Sequence, residues 1–224
     1  MAMAAPTSIT NKKYMTNYAR LGHAAQELLP DMLRELILLK EPTNKLILDC
    51  NANRYLKRTL RQIEWLCINN VINNEYSNFD VPLLYKLIRN LNLVPQPTAN
   101  WDFPRDPMGN ELTIGDDVER IRRKRNDILH RANVNVDETE LSENFSLFKS
   151  VASRLEVYMG KPNGYFGHKC EWLETCCMDS QAEEQFLQKM KEFAENEKDV
   201  QDVVRKVQTD IELLKVKGTS AFNL

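Results

Sequence analysis

The apolar residues of the chain recur every three or four positions, which is the spacing of one face of an α-helix. Pro30 falls inside the first such stripe, and because proline lacks a backbone N–H and clashes with the preceding turn, we expect the helix to kink or split there. Residues 1–10 precede the stripe and are predicted to be disordered. The stripe consists of Tyr14, Tyr18, Leu21, Ala25, Leu28, Met32 and Leu36.

Two shorter stretches with helical character follow. Residues 53–72 place an apolar side chain every three or four positions and predict a second helix. Asp80 is a residue type that caps helix N-termini, and Pro82 is tolerated in a first turn, so a third, short helix is predicted after Asp80. Residues 93–115 then combine four prolines with Trp101, which predicts an ordered loop packed on the domain.

The clearest helix signals lie further along the chain. Asp116 or Asp117 is predicted to cap a fourth helix. Asp137 and Glu140 form a capping-box-like start for a fifth helix. Gly160 stands where a residue in the left-handed conformation would end that helix.

The C-terminal part of the chain changes character. Residues 161–180 are predicted to be turn-rich. In residues 179–224 apolar side chains follow a heptad rhythm with charged residues between them, which predicts a coiled coil or a long amphipathic helix that packs on a partner helix. We therefore expect an all-α protein, with one helical domain over residues 11–178 and a C-terminal helix after it.

Composition narrows the functional classes. Hydrophobic residues make up 42% of the 224 positions and only 7 residues are glycine, which favours long helices over a turn-rich β fold. The formal net charge is -2, so a surface that binds nucleic acid would have to be a local basic patch. The five cysteines are irregularly spaced, with no secretory signal and no membrane-spanning run, so we expect reduced thiols, no membrane contact and a cytoplasmic protein.

The predicted fourth helix contains such a patch within residues 121–131. Basic side chains supply a sequence-independent attraction to phosphates, and this patch is the candidate RNA-binding surface. The candidate phosphate contacts are Arg122, Arg123, Lys124 and Arg131.

Helical phase singles out Arg125 within this segment. At about 100° per residue, Arg125 falls in the middle of an apolar stripe that includes Ile121 and Ile128. Charges are rarely buried without a partner or a function, so Arg125 points either into a core salt bridge or into an interface. On an ideal helix His130 lies about 140° away and about 7.5 Å further along the axis. The two could share a phosphate only through side-chain reach, a loosened helix end or a second subunit.

Residues 125–130 read Arg-Asn-Asp-Ile-Leu-His and resemble the signature of HEPN domains, an arginine followed after four to six residues by a histidine. The flanking sequence is similar as well: FDVPLLYKLIRNL over residues 79–91, a proline-containing loop with Trp101, and DDVERIRRKRNDILH over residues 116–130. Together they resemble the animal HEPN subgroup named after the ubiquitin ligase DAZ-interacting zinc-finger protein. The resemblance covers about residues 14–160.

This resemblance implies a HEPN-like helical bundle that dimerises and brings two Arg/His pairs into one cleft. Active members of the family are metal-independent endoribonucleases, in which the RNA 2′-hydroxyl attacks the adjacent phosphate. In that chemistry His130 would donate or accept a proton, Arg125 would grip phosphate oxygens, and Asn126 would orient either group or bind the phosphate. Family association also implies a role in innate defence or stress response.

Two other interpretations stay open. The first is a catalytically inactive HEPN module that dimerises or acts as an adaptor, in keeping with the C-terminal helix and with Leu129 at a position where many family members have glycine. The second is a helical scaffold unrelated to RNA. In it Arg125 forms a core ion pair, His130 is a C-cap histidine, and nearby acidic residues balance the basic patch.

No cofactor or metal is expected. His168, Cys170, Cys176 and Cys177 could suggest a zinc site, but their spacing fits no standard pattern, because adjacent cysteines rarely chelate one metal together.

Overall fold

The computed structural model describes residues 7–176 and the isolated positions 184, 185, 188, 190, 192 and 195. The chain divides into two compact units, residues 1–179 and 180–224. The described residues of the first unit form helices and no β-strand, which confirms the all-α prediction. The helices are α1 (Thr7–His23), α2 (Leu29–Lys40), α3 (Thr43–Ala52), α4 (Arg54–Thr59), α5 (Gln62–Asn69), α6 (Val71–Asn74), α7 (Val81–Asn90), α8 (Ile114–Leu129), α9 (Glu138–Met159) and α10 (Gly167–Thr175).

The predicted distortion at Pro30 is confirmed. Between α1 and α2, Ala24–Leu28 form a π-helical turn, and the N–H of Leu29 donates to the carbonyl of Ala24, five residues earlier. Pro30 follows in the first turn of α2. Because proline has no N–H and its ring crowds the preceding turn, the wider π turn lets the chain continue without a break. α1 begins at Thr7, inside the segment predicted to be disordered.

The single helix predicted over residues 53–72 is wrong, because three short helices, α4 to α6, occupy that stretch. The side chain of Asn53 accepts the N–H of Leu56 at 3.0 Å and so caps α4. The N–H of Arg61 then donates to the Glu64 side chain at 2.6 Å at the start of α5. This local contact restarts the helix, and a second break follows at Asn70, although the apolar spacing runs on unbroken.

The caps of α7 and α8 differ in how well the sequence predicts them. Asp80 caps α7 as predicted and accepts the N–H of Leu83 at 2.9 Å. Thr113 caps α8, so the prediction of Asp116 or Asp117 is wrong. Thr113 Oγ1 accepts the N–H of Asp116 at 3.1 Å, and the Asp116 carboxylate accepts the N–H of Thr113 at 2.9 Å. This reciprocal capping box starts the helix before the two acids.

The predicted bounds of α9 are confirmed. The side chain of Asp137 accepts the N–H of Glu140 at 2.8 Å, and Gly160 ends the helix in the left-handed region with φ +65°. Only glycine adopts this conformation without a steric penalty, so Gly160 is a strong stop signal.

α10 lies within the segment predicted to be turn-rich and has no predicted counterpart. The N–H groups at and just before its start have a partner on α9: the carboxylate of Glu156 accepts from Gly164 at 2.9 Å, from Phe166 at 2.7 Å and from Gly167 at 3.0 Å. A carboxylate from the preceding helix replaces the usual local cap, so the sequence around α10 has no capping signature.

The long helices pack around a common apolar core. α2 contacts α7, α8 and α9, and α8 also contacts α7 and α9. Because α8 touches so much of the bundle, a charge on its inner face is buried. The largest fully buried aromatic side chains are Tyr76, Phe79, Phe145, Phe148 and Phe166.

Apart from a few isolated positions, the predicted C-terminal amphipathic or coiled-coil helix in residues 179–224 lies outside the described residues, and its partner helix stays a prediction.

Candidate functional site

Arg125 lies on the buried face of α8, as its helical phase predicts. The residue is only 5% exposed, and Ile121 and Ile128 on the same face are buried as well. Its Nη1 donates a hydrogen bond of 3.1 Å to Oδ1 of Asn126. A guanidinium is a permanent cation with donors only, so an amide oxygen is a suitable partner for it. The structure thus brings two of the three predicted catalytic side chains into contact.

His130 ends the same helix. It is the C-cap residue of α8, with φ -104° and ψ 9°, and its backbone N–H donates to the carbonyl of Asn126 at 2.9 Å. His130 is exposed, whereas Arg125 is buried. The helix dipole favours a cation at this position. Asn126 therefore accepts two hydrogen bonds. Its side-chain oxygen accepts from the guanidinium of Arg125, and its backbone carbonyl accepts from the N–H of His130.

The segment after His130 is anchored by Arg131. This side chain donates to the two carboxylate oxygens of Glu140 at 2.5 and 3.2 Å and to the carbonyl of Asn135 at 3.1 Å. Asn17 of α1 also donates to the segment, to the carbonyl of Val136 at 3.2 Å. Arg131, predicted to bind RNA, is thus part of the scaffold that fixes the backbone beside His130.

Arg122 and Arg123 are similarly engaged within the domain. Arg122 donates to Glu119 at 2.8 Å, and its guanidinium lies 4.7 Å from the ring centroid of Tyr85. Arg123 donates to the carbonyl of Phe103 in the loop before α8. A phosphate would have to compete with these internal partners, so the contacts leave little of either guanidinium available to RNA.

Lys124 differs from these arginines. Its ion pair is with Asp127, at 3.8 Å, and the Asp127 side chain is 62% exposed. Exposed pairs of this kind contribute about 0–1 kcal/mol, so a phosphate could displace Asp127 readily. Of the four predicted RNA contacts, Lys124 is the one whose surroundings best suit that role.

The acidic partner of Arg122 is itself part of a buried network. Glu119 is 2% exposed and accepts from the hydroxyl of Tyr85 at 2.6 Å and from the N–H of Asp102 at 2.8 Å. Burial, together with the hydrogen bond and charge of Glu119, raises the pKa of Tyr85. Burial acts to raise the pKa of Asp102 too, but the Tyr85 hydrogen bond and the charge of Arg89 hold that pKa below its ordinary value. Tyr85 is therefore a neutral donor between two carboxylates.

The ordered loop predicted between α7 and α8 is confirmed, and it covers the start of α8. Asp116 accepts from the N–H and the hydroxyl of Thr98, both at 2.8 Å. A Cβ built on Gly115 would lie 2.5 Å from the carbonyl oxygen of Pro95 and 2.5 Å from the nitrogen of Pro97. The loop backbone therefore rests directly on α8 at a position that only glycine allows.

The structure also bears on the expectations about metals and membranes. Within residues 7–176, no three His, Cys, Asp or Glu side chains are grouped so that they could hold a metal ion. His168 is exposed and contacts Glu171, Cys170 is buried, and Cys177 lies outside the described residues. No helix in the described part of the chain combines the length and the apolar character needed to cross a bilayer.

The helical bundle agrees with the HEPN resemblance. A family model described as DZIP3/hRUL138-like HEPN matches residues 30–186. The match covers well over half of the chain and includes the whole of α8, and the chain belongs to this family. No curated protein matches the chain significantly, and no solved structure does.

Family membership confirms the assignment made from residues 79–91 and 116–130. The catalytic roles of Arg125, Asn126 and His130 stay predictions, as do the RNA contacts of the basic patch. Sequence reasoning missed the buried acids of α8, because the pattern of charges alone does not show which carboxylates face inward.

Proposed function

We propose that this chain binds RNA and cleaves it without a metal ion, as a homodimer, with Arg125, Asn126 and His130 at the reacting phosphate. The observation that carries the proposal is the buried guanidinium of Arg125, hydrogen-bonded to Asn126 at 3.1 Å on the helix that ends at the exposed His130. Membership of the HEPN family supports it, because active members use such an Arg/His pair.

The chemistry follows from the side chains. One imidazole accepts the proton of the RNA 2′-hydroxyl, and the 2′-oxygen bonds to phosphorus while the bond to the 5′-oxygen breaks. A second, protonated imidazole donates a proton to the departing 5′-oxygen. The products are a 2′,3′-cyclic phosphate and a free 5′-hydroxyl. Arg125 stabilises the negative charge that builds on the phosphate oxygens.

The spacing along α8 favours a dimeric site. His130 lies five residues after Arg125, which is about 7.5 Å along the axis and about 140° around it. In one copy, the guanidinium of Arg125 and the imidazole of His130 are therefore too far apart to act on one phosphate. Two copies packed through this end of α8 would supply two imidazoles and two guanidinium groups to a shared site. The proposal extends, on family association, to a cytoplasmic role in innate defence or stress response.

The test uses the full chain and a labelled single-stranded RNA in a buffer with a chelator. Wild type is expected to cut the RNA and to leave a 2′,3′-cyclic phosphate end. His130→Ala is expected to lower the rate by at least about 100-fold, the usual contribution of an acid–base group. Because His130 is exposed, this variant should keep its fold, as circular dichroism melting would check.

Glu143→Gln is the control, since Glu143 is exposed on α9, outside the proposed site, and should leave the rate unchanged. Arg125→Lys keeps a positive charge and removes the fork of donors, and it should cut slowly while melting near wild type. Equal survival of the RNA with wild type and with His130→Ala would reject the nuclease proposal. Sedimentation showing only monomer at high concentration would reject the shared site.

One observation favours a second function, a catalytically inactive HEPN module that works through protein contacts. Arg122, Arg123 and Arg131 all direct their donors inside the domain. Under this alternative the chain would dimerise and would not cut RNA. Arg125→Ala would then lower the affinity of the dimer, and there would be no cleavage rate to change.

A further inference from the structure

Arg54 and Arg58 differ from the other arginines of residues 7–176. Within that range their side chains form no hydrogen bond and no ion pair, whereas every other arginine there has a partner. The contrast is sharpest with the predicted RNA contacts, since Arg122, Arg123 and Arg131 are each held by a carboxylate. Among residues 7–176, the arginines without such a partner therefore lie on α4, whereas α8 offers Lys124 to an external anion.

α4 presents these charges on one face. At about 100° per residue, Arg54, Lys57 and Arg58 fall within an arc of about 100°, and the buried Leu56 lies opposite them. All three basic residues are exposed, and Lys57 forms no ion pair among the described residues either. Tyr55, next to this arc, is 51% exposed. Positions three and four apart on a helix are neighbours, so these like charges repel one another without a compensating acid.

We infer that Arg54, Tyr55, Lys57 and Arg58, together the α4 surface, bind single-stranded RNA. The guanidinium and ammonium groups contact successive phosphates, and the ring of Tyr55 stacks on a base. Arginine forks match phosphate oxygens, and an aromatic side chain among basic residues is the usual platform for unpaired bases. This inference rests on the proposed function and names the place where the substrate strand is held.

The α4 surface is fixed to the bundle that carries Arg125. Asn53, which caps α4, donates to the carbonyl of Asn90 at 2.8 Å, and Lys86 donates to the carbonyl of Thr59 at 3.4 Å. α4 packs on α7, and α7 packs on α8. A strand held on the α4 surface is therefore gripped at a defined position relative to the Arg125 site, which raises its local concentration there.

Charge also argues for a nucleic-acid strand over a membrane. The positive charges of the α4 surface lie on one narrow arc of a six-residue helix, and a membrane surface site needs a longer basic face. A narrow phosphate backbone touches only the local patch. The single exposed ring of Tyr55 suits stacking on a base, whereas a membrane site needs a broad apolar face.

The test measures the binding of a fluorescein-labelled 2′-O-methyl oligouridine by fluorescence anisotropy across a salt series. This probe cannot be cut by 2′-hydroxyl attack, so binding is measured apart from cleavage. The variant Arg54→Gln/Lys57→Gln/Arg58→Gln is expected to bind at least about tenfold more weakly at low salt. The slope of log K against log salt should become shallower by about 2, since each lost contact to single-stranded RNA removes about 0.7.

The matched control removes the same charge elsewhere. Lys149→Gln/Lys161→Gln/Lys169→Gln breaks exposed or half-exposed ion pairs elsewhere in the domain and should change neither the affinity nor the slope. Tyr55→Ala should weaken binding about 5- to 100-fold with an unchanged slope, because stacking carries no charge. Tyr55→Phe should restore the affinity.

The outcomes separate this inference from the proposed function. Equal affinities for wild type and the α4 triple variant would overturn the α4 surface, whatever the cleavage assay shows. An equal loss of RNA binding in the control triple variant would overturn it as well. So would the result that wild type binds phosphatidylserine vesicles and does not bind RNA. Loss confined to the α4 variants would support the surface even if wild type never cuts RNA.

Discussion

Arg154 of α9 donates two hydrogen bonds of 2.7 Å to the carboxylate of Asp117 on α8, and Asp117 has no exposed surface. Arg120 donates to the same carboxylate at 2.9 Å and to the carbonyls of Met108 and Glu111 in the preceding loop, both at 2.6 Å. One buried acid thus joins α8, α9 and the loop. Both partners are arginines, whose donors match the carboxylate in direction as well as charge.

Asp117→Ala is expected to lower the free energy of unfolding by about 3–5 kcal/mol, because it leaves two guanidinium groups without their carboxylate at a buried position. The melting temperature would fall by roughly 10 °C for a domain of this size. Asp127→Ala on the same helix removes an exposed acid and should cost no more than about 1 kcal/mol. Equal melting temperatures for the two variants would contradict the buried network.

The side chains of α8 show what the sequence can and cannot predict about burial. Periodicity alone places Arg125 on the buried face of α8, and its 5% exposure confirms this. One interpretation of the sequence has the acids of α8 balancing a basic patch, and Glu119 does accept from Arg122. Asp117 and Glu119 are nevertheless buried and also bind other elements of the fold. These further partners, Arg154 and Tyr85, lie on other helices, so no spacing within α8 could reveal them.

The fold itself is predictable where the signals are local. Asp80, Asp137 and Gly160 mark helix ends through caps formed within a few residues, and all three predictions are confirmed. The start of α10 depends instead on the carboxylate of Glu156, which comes from the preceding helix. The split of residues 53–72 escapes prediction because its apolar spacing continues across the breaks at Arg61 and Asn70.

Gly115→Ala is expected to destabilise the domain by about 1–3 kcal/mol, the usual effect of overpacking. The new methyl group would meet loop backbone at 2.5 Å, and backbone cannot rotate away as a flexible side chain can. Gly109→Ala is the control, because nothing lies within 4 Å of its Cβ position, and it should stay within about 0.5 kcal/mol of wild type. Urea unfolding of the two variants measures the difference, and equal midpoints would refute the close contact.

Glu41 makes the stability of the domain depend on pH. Burial, followed by the hydrogen bond and negative charge of Asp49, raises the pKa of Glu41 to about 7, while the charge of Lys45 opposes this. Its Oε1 is buried with no hydrogen-bond partner within the described structure. In the unfolded chain the pKa of a glutamate is about 4.3. The folded state therefore binds the proton more tightly, and the stability present below about pH 4.3 is lost as pH rises through 7.

Glu41→Gln is expected to remove this contribution, because the amide resembles the protonated acid at every pH. The variant should be about 1–3 kcal/mol more stable than wild type at pH 8 and close to it at pH 4. Urea midpoints at the two pH values give the comparison. Glu143→Gln, at an exposed position on α9, should show no such gain. A gain that is the same at pH 4 and pH 8 would rule out the titration of Glu41 as its cause.

Comparing Arg123→Gln with Lys124→Gln should show which residues of the predicted RNA-binding patch stabilise the fold and which bind phosphate. Arg123 donates to the carbonyl of Phe103, and losing this hydrogen bond to the loop should cost about 0.5–1.5 kcal/mol in urea unfolding. Lys124 has an exposed partner at 3.8 Å, and its loss should change stability by less than about 0.5 kcal/mol. If Lys124 touches a phosphate, its variant should make the salt slope of RNA binding shallower by about 0.7. A slope change confined to Arg123→Gln, with stability intact, would show that the phosphate-binding position is Arg123.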